Sequence, residues 1–383
     1  MVFTCTEDQQ ALRDGIAPFC AAINEGHIER DGRAEFDHDA WKLLRRSGIL
    51  GLPFADRWGG LEQDLVTTMF VLEGLGKDCR DGGLLFSTTT HIVSTGVPIA
   101  KFGSAGLKDR YLPAICDGSL IGSHAISEPG SGSDALNMRT TATKVDGGWV
   151  LNGSKTFISN APIADLMVVY AKSDENAGPL GITAFVVETD SLGMSIGKPI
   201  AKMGLKTSPM AEVFFDECFV PAENVIGSRG MGFLVLDHVM KWEILCSFVV
   251  NVGEMAHRIE RCVEYAKERH QFGRPIGANQ SVANRIVDML VATESARKWL
   301  YDTAEKMQRG DAITTDLAIT KLVASEANLQ TALAAVNVFG GNGYMAEYGL
   351  EKDLRNAVGG TIYSGTSDIQ RSRIAAMLKL PTS

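Results

Sequence analysis

Ser127-Glu128-Pro129-Gly130-Ser131-Gly132-Ser133-Asp134 is the stretch around which the fold of this chain is read. Its glycines let another molecule approach the backbone closely, and its hydroxyls and amide N–H groups can bond ring oxygens or phosphate. The plain alternative is a polar loop in a β-rich region. A second stretch follows, Asn152-Gly153-Ser154-Lys155-Thr156-Phe157-Ile158-Ser159-Asn160. Around the two lie short apolar runs that read as strands: Trp149 to Gly153, Leu166 to Tyr170, Ile182 to Val187 and Glu212 to Phe215. The β-rich region runs from about 121 to 227.

Outward from it the periodicity changes. Gln9 to Ile23, Phe36 to Gly48 and Asp64 to Gly76 carry apolar residues three and four apart, which predicts helices. Arg57-Trp58-Gly59-Gly60 and Asp117-Gly118 punctuate them as turns. Helical spacing returns after 228, over 232–269, 279–308 and 313–339. No solenoid-scale repeat or low-complexity segment interrupts the pattern. The expected fold class is α+β, mostly α. A helical domain at 1–120 precedes a β-domain at 121–227 and a helical bundle at 228–383.

Composition removes several classes of function. The 383 residues are 45% hydrophobic and 22% charged, as in a water-soluble globular chain, and the net charge of −9 argues against nucleic-acid partners. Seven scattered cysteines, with no C-x-x-C pair, point to a reducing cytoplasm and away from disulfides or zinc. The histidines also lack metal-ligand spacing, so no metal is expected. No apolar run is long enough for a membrane span. The first residues lack the basic flank and apolar core of a secretory signal.

The two central stretches, together with Phe339-Gly340-Gly341-Asn342-Gly343-Tyr344 and Tyr363-Ser364-Gly365-Thr366-Ser367, resemble the acyl-CoA dehydrogenase family. The domain order is similar to that family's from end to end. The resemblance implies FAD as cofactor. Ser127, Gly132 and Ser133 would hold it, with Phe157 and Ser159 against the isoalloxazine. Glu268-Arg269-His270-Gln271-Phe272-Gly273-Arg274-Pro275 resembles the segment whose arginine and phenylalanine, here Arg269 and Phe272, reach the FAD of a neighbouring subunit. Arg269 can neutralise pyrophosphate. Thr366 and Asp368 match positions at the ADP half, and Asn337 and Gly341 complete the cofactor set. Asn337 stands where many members have glutamine, and Asp368 where many have glutamine or glutamate. A site shared between subunits implies an oligomer, in this family usually a homotetramer.

Most members carry glutamate where this chain has Ser364, and that glutamate removes the α-proton of a thioester. A serine hydroxyl is too weak a base for the task. The reaction needs a carboxylate raised in pKa by a water-poor pocket. A minority of the family, including isovaleryl-CoA dehydrogenase-like enzymes, places it on the first long helix of the C-terminal domain. Counted back from Tyr265-Ala266-Lys267-Glu268-Arg269, Glu243 occupies that position, flanked by Trp242, Ile244 and Leu245. Taken alone, a glutamate on a helix is a solvated surface residue. The serine at 364, the matching position and the apolar flanks make Glu243 the expected general base. Ser364 is then read as a small residue that leaves room in the pocket, with its backbone N–H free to bond the thioester carbonyl.

Where most members follow this glutamate with arginine, the chain has Ile244. Trp242-Glu243, Asn160 to Asp165, Gln280 to Ile286 and Tyr363 to Gln370 resemble the prolyl-carrier-protein dehydrogenases within the family. The resemblance implies oxidation of L-proline held as a thioester on the phosphopantetheine arm of a peptidyl or acyl carrier protein. The expected products are pyrrolinyl or pyrrolyl thioesters for antibiotic-type natural products. Oxygen or an electron carrier would take the electrons onward. A basic patch would dock the acidic carrier, with Lys202, Lys206 and Arg274 as contributors. Three other readings stand beside it: an isovaleryl-type acyl-CoA dehydrogenase using Glu243, a flavin-binding but catalytically silent structural relative, and a flavin oxygenase or nitroalkane-oxidase-like member of the fold.

Overall fold

The computed structural model describes residues 5–381. Its first helices follow from their caps. Helix α1 (Glu7–Asp14) starts at Thr6, whose hydroxyl accepts from the Gln9 N–H at 3.2 Å while the Gln9 side chain accepts from the Thr6 N–H at 2.9 Å. This reciprocal pair satisfies donors that the first turn leaves open. The single helix expected over Gln9 to Ile23 is two. Helix α2 (Ala17–Asn24) restarts at Pro18, whose fixed φ and missing N–H suit a first turn and not a helix interior. Helices α3 (His27–Arg33) and α4 (His38–Ser47) follow, and α4 ends at Gly48 with φ +77°.

Helix α5 (Leu65–Asp78) is capped by Asp64, which accepts from the Thr67 N–H at 2.7 Å, and it is buried from Leu65 through Gly76. It lies against α9 (Gly232–Glu268), the 37-residue helix that opens the C-terminal region. The two backbones meet at glycines. A Cβ on Gly76 would lie 2.1 Å from the carbonyl oxygen of Val250, and one on Gly253 would lie 2.1 Å from that of Glu73. Helix α6 (Gly82–Thr89) continues into a π-helical segment, Thr90–Gly96, then α7 (Val97–Phe102) and α8 (Ala105–Cys116).

The sheet occupies the middle. Its strands are β1 (Gly122–Ala125), β2 (Thr141–Val145), β3 (Gly148–Ser159), β4 (Leu166–Lys172), β5 (Ile182–Glu188), β6 (Met194–Ile196), β7 (Met210–Pro221) and β8 (Val225–Ile226). They run in the order β6-β7-β3-β2-β4-β5-β8, with β1 parallel to β4 and Gly122 opposite Leu166. Strands β4 and β5 are buried on both faces, which explains their continuous apolar runs. Val168, Tyr170, Ala184 and Val186 join the main helical core, while Met167, Val169, Phe185 and Val187 pack with Trp149 and Phe215 on the other side.

Beyond α9 come a two-stranded hairpin, β9 (His270–Gln271) with β10 (Arg274–Pro275), then α10 (Gln280–Arg309), α11 (Thr314–Phe339), α12 (Gly341–Tyr344), α13 (Leu350–Gly360) and α14 (Ser367–Met377). Among the described residues no helix is long and apolar enough to cross a membrane. The described cysteines are all free, and no cluster of metal-ligating side chains forms among the described residues.

Candidate active site

The polar loop leaves the end of β1. Glu128 N–H donates to the Ser131 carbonyl at 2.9 Å and Ser131 N–H returns to Glu128 at 3.1 Å, while Ser131 Oγ donates to the Asp134 carbonyl at 2.6 Å. Gly130 and Gly132 have open space where a side chain would stand. Among the described residues the N–H groups of Gly132 and Ser133 find no acceptor. Ser133 is exposed and Ser127 half-buried. Open amides beside bare glycine backbone suit an anion or the polar edge of a ring.

This loop is fastened to the second stretch. Thr156 N–H donates to the Ser127 carbonyl at 2.8 Å. Lys155, fully buried, donates to Glu128 Oε1 at 2.8 Å and to the Ile126 carbonyl at 3.1 Å. Glu128 also accepts from the N–H groups of Arg139 and Thr140 and from the Thr140 hydroxyl. Burial alone would raise the Glu128 pKa, but the Lys155 charge and these hydrogen bonds pull it below the ordinary value. Burial lowers Lys155 to about 8 despite that partner. The β3–β7 register slips between Lys155 and Ile158, and within the slip Phe157 adopts φ +58° and stands 64% exposed. The irregularity re-aims one aromatic ring out of the sheet. Ser159, half-buried, accepts at its carbonyl from Ser123 Oγ at 2.6 Å.

Glu243 lies on α9 between half-buried Trp242 and buried Ile244 and Leu245. Its side chain keeps 18% exposure. Ser94 Oγ donates to Oε2 at 2.9 Å and Ser364 Oγ donates to Oε1 at 2.5 Å. Burial raises the carboxyl pKa, and the hydroxyls of Ser364 and Ser94 lower it only in part, so the net direction is upward. His124 Nδ1 stands 3.9 Å from Oε2, and its Nε2 is 3.1 Å from the Tyr170 hydroxyl. Burial, aided by the Lys155 charge, depresses His124 to about 3. The ring is therefore neutral at ordinary pH and forms no ion pair with Glu243.

The sequence gives Ser364 a role through its smallness and its N–H. It is buried, its N–H has no acceptor among the described residues, and its hydroxyl is engaged with Glu243. Tyr363 beside it stacks on Phe248, with centroids 5.3 Å apart, and lines a small cavity with Leu85, Phe86, Ser247 and Glu254. Burial also raises Glu254, against the opposing charge of Arg258. It stands three turns further along α9 from Glu243.

Ser94 and His124 escaped the sequence reading. Ser94 belongs to the π-helical segment, a run of hydroxyl and β-branched residues without helical spacing. His124 sits in β1, a four-residue strand too short to announce itself.

The remaining expected cofactor residues fall elsewhere. Arg269 and Phe272 lie at the hairpin after α9, both exposed, with Phe272 at 97%. Asn337 and Gly341 flank the α11–α12 corner, also exposed. That corner is tied to the hairpin's base: Tyr265 stacks on Phe339 at 3.9 Å, and Asn342 donates to the Tyr265 hydroxyl at 3.0 Å. At 1.5 Å per residue, the far end of α9 is roughly 38 Å from Glu243. Thr366 caps α14 through its hydroxyl at 3.2 Å from the Ile369 N–H, and the Asp368 side chain is 95% exposed in that first turn. Lys202 and Lys206 are half-buried, and Arg274 donates to Asn279 at 2.7 Å.

Family models described as the N-terminal, middle and C-terminal domains of acyl-CoA dehydrogenase match residues 6–119, 123–218 and 230–379. The chain is 38% identical over 381 residues to an L-prolyl-[peptidyl-carrier protein] dehydrogenase of Serratia sp. (strain ATCC 39006), covering 99% of each. It is 35% identical over 375 residues to the mitochondrial isovaleryl-CoA dehydrogenase of Solanum tuberosum, covering 97% of this chain and 90% of that one. The solved structure "PigA with FAD and proline" superposes with a TM-score of 0.96 at 37% identity, over 100% of both chains.

Proposed function

The chain belongs to the acyl-CoA dehydrogenase family, and on that premise we propose that it is an FAD-dependent enzyme dehydrogenating an L-prolyl thioester on a carrier protein. The observation that carries the reading is Glu243. It is a carboxyl group raised by burial, with no cation beside it among the described residues, on α9 within hydrogen-bond reach of Ser364. The prolyl-carrier-protein relative and the proline-bearing structural neighbour support the substrate class. Isovaleryl-CoA oxidation by the same Glu243 is the second reading, favoured by the Solanum relative.

The residues fit FAD. The open amides of Gly132 and Ser133 suit its polar groups, and the outward ring of Phe157 offers an aromatic face. Ser127, whose carbonyl takes the Thr156 N–H, and Ser159, two residues after Phe157, would complete this side of the site. FAD, when bound, supplies the acceptor for the hydride lost from the β-carbon. Glu243 takes the α-proton, and the α,β double bond forms from the electrons of the C–H bond it breaks. The N–H of Ser364, without an acceptor among the described residues, would bond the thioester carbonyl as negative charge develops there. The enamine so formed tautomerises to an imine, and a second round of the same chemistry yields the pyrrolyl thioester. Oxygen or an electron-carrier protein removes the electrons.

Arg269, Phe272, Asn337 and Gly341 cluster at the far end of α9, so we assign them to the cofactor of a neighbouring subunit, with Thr366 and Asp368 at its ADP half. The assembly proposed is a homotetramer in the cytoplasm, serving antibiotic-type pyrrole biosynthesis. The division into domains at 1–120, 121–227 and 228–383 is supported by the start of β1 at Gly122 and the end of β8 at Ile226.

The test is anaerobic mixing of the yellow FAD-loaded protein with L-prolyl-loaded carrier protein, and separately with isovaleryl-CoA, while the visible flavin band is followed. Bleaching by the prolyl carrier is expected, with a mass loss of two hydrogens on the arm for one flavin reduced, or four where two oxidised flavins are bleached per arm. Bleaching by the CoA ester alone replaces the substrate assignment, and bleaching by neither favours the catalytically silent relative.

A further inference from the structure

We propose that Ser364 and Ser94 are positioning residues that clamp the two oxygens of Glu243, Ser364 doing so from the loop position where the family more often keeps the carboxylate itself. This rests on the assignment of Glu243 as the base. Each oxygen has its own hydroxyl donor, Ser364 on Oε1 and Ser94 on Oε2. One donor per oxygen fixes the plane of the carboxyl group.

Backbone conformation gives an independent argument. Ser364 holds φ +54°, a region that glycine enters freely and other residues resist. Its neighbour Gly365 is at φ +84°. Glycine at 364 would also make this turn with less strain and more room, so room alone does not account for a serine there. The hydroxyl does. Ser94 is placed with similar care. The π-helical segment inserts it out of α-helical phase, a device concentrated at functional positions. That segment is pinned to β1: His91 Nδ1 accepts from the Gly122 N–H at 3.1 Å, and Thr95 Oγ1 donates to the Ser123 carbonyl at 3.0 Å.

Among the described residues the other titratable groups around Glu243 bring it no unpaired positive charge. His124 of β1 is neutral, and Tyr170 of β4 is raised by burial and by Glu243 itself. Tyr363 is raised by burial and by Glu254 and Glu243. On α9 itself, Lys241 is paired with Asp237 at 2.6 Å, and His238 is neutral, depressed to about 4 by burial. Among the described residues the two hydroxyls are therefore the donors that favour the ionised form of Glu243 over the protonated one.

The experiment compares FAD-loaded full-length Ser364→Gly, Ser94→Ala, Ser94→Thr and Glu243→Gln with the parent, using whichever thioester bleaches the flavin. Rates are measured against pH, alongside thermal unfolding and the visible spectrum. Ser364→Gly should unfold no earlier than the parent and retain flavin. It should lose about tenfold in kcat with KM little changed, and the acidic limb of its profile should move about one pH unit upward. The sign follows from removing a donor to the charged form. Ser94→Ala should move the limb the same way, and Ser94→Thr, which keeps the hydroxyl, should restore most of it. Limbs unmoved in both Ser364→Gly and Ser94→Ala, with Glu243→Gln inactive, would overturn the clamp alone. Turnover surviving in Glu243→Gln would overturn the base assignment, and the clamp with it.

Discussion

Glu128 and Glu243 are both largely buried carboxylates, and their surroundings drive them in opposite directions. Glu128 receives an ammonium, two backbone N–H groups and a hydroxyl, and is held below its ordinary pKa. Glu243 receives two hydroxyls and, among the described residues, no cation, and is pushed above it. Burial raises both, so the partners decide between a carboxylate that favours its charged form and one that takes a proton more readily. One carboxylate fastens the polar loop to the second stretch, and the other is left able to take a proton, as the proposed base must.

The largest effect that would break this contrast is on turnover. Glu243→Gln should lower kcat by about 10⁴-fold while the visible flavin spectrum persists, because general-base contributions reach that size. Steady-state and single-turnover rates on the flavin-bleaching thioester would check it. Next comes the fastener. Lys155→Met leaves Glu128 as a buried charge without its cation and should cost about 3–5 kcal/mol in urea unfolding, with loss of flavin on gel filtration. Adding Glu128→Gln to that variant should recover part of the stability, since the stranded charge is gone. Turnover lost without flavin loss in Lys155→Met would erase the division of labour.

The smallest effect sharpens the contrast most. The folded pKa of Glu243 lies above its unfolded value, so the folded protein loses stability as pH rises through that window. Glutamine has no proton to release. Glu243→Gln should therefore melt on the order of 2 °C above the parent at pH 8, and the two should converge below the ordinary glutamate range. Glu128 has the reverse sign. Its contribution is present above its unfolded pKa and lost as pH falls through the folded one. Glu128→Gln should melt below the parent at pH 8, with the deficit shrinking in acid. Calorimetric scans across pH would show two curves of opposite slope.

The broad architecture was legible because long amphipathic helices and doubly buried strands leave periodic marks. The acyl-CoA dehydrogenase fold, FAD chemistry and prolyl-carrier relationship could be read from local motifs in the polar loop, the second stretch and residues 363–370. What the residues alone concealed is non-local. The Lys155–Glu128 pair joins the two stretches of the cofactor signature directly, through residues that the signature itself gives no cofactor role. Ser94 meets Glu243 across 149 positions of sequence, and the π-helical phase that delivers it has no periodic signature. The break between α1 and α2 was available in Pro18, but the apolar spacing ran through it. The hydroxyl of Ser364 went unread because a serine in place of glutamate looks like a loss until its partner is found.

The crossing of α5 and α9 gives this fold a particular mutational fragility. The depth at which α9 sits, and so the reach of Glu243, is set where Gly76 and Gly253 let two backbones touch. Any inherited change at either codon that alters the residue adds atoms, and the first atom added already collides with a carbonyl. A saturation scan should find these two silent positions as intolerant as Glu243, the proposed base, with a different signature: loss of soluble protein where Glu243 shows loss of rate. The least decorated residues of the chain would then be among its most constrained.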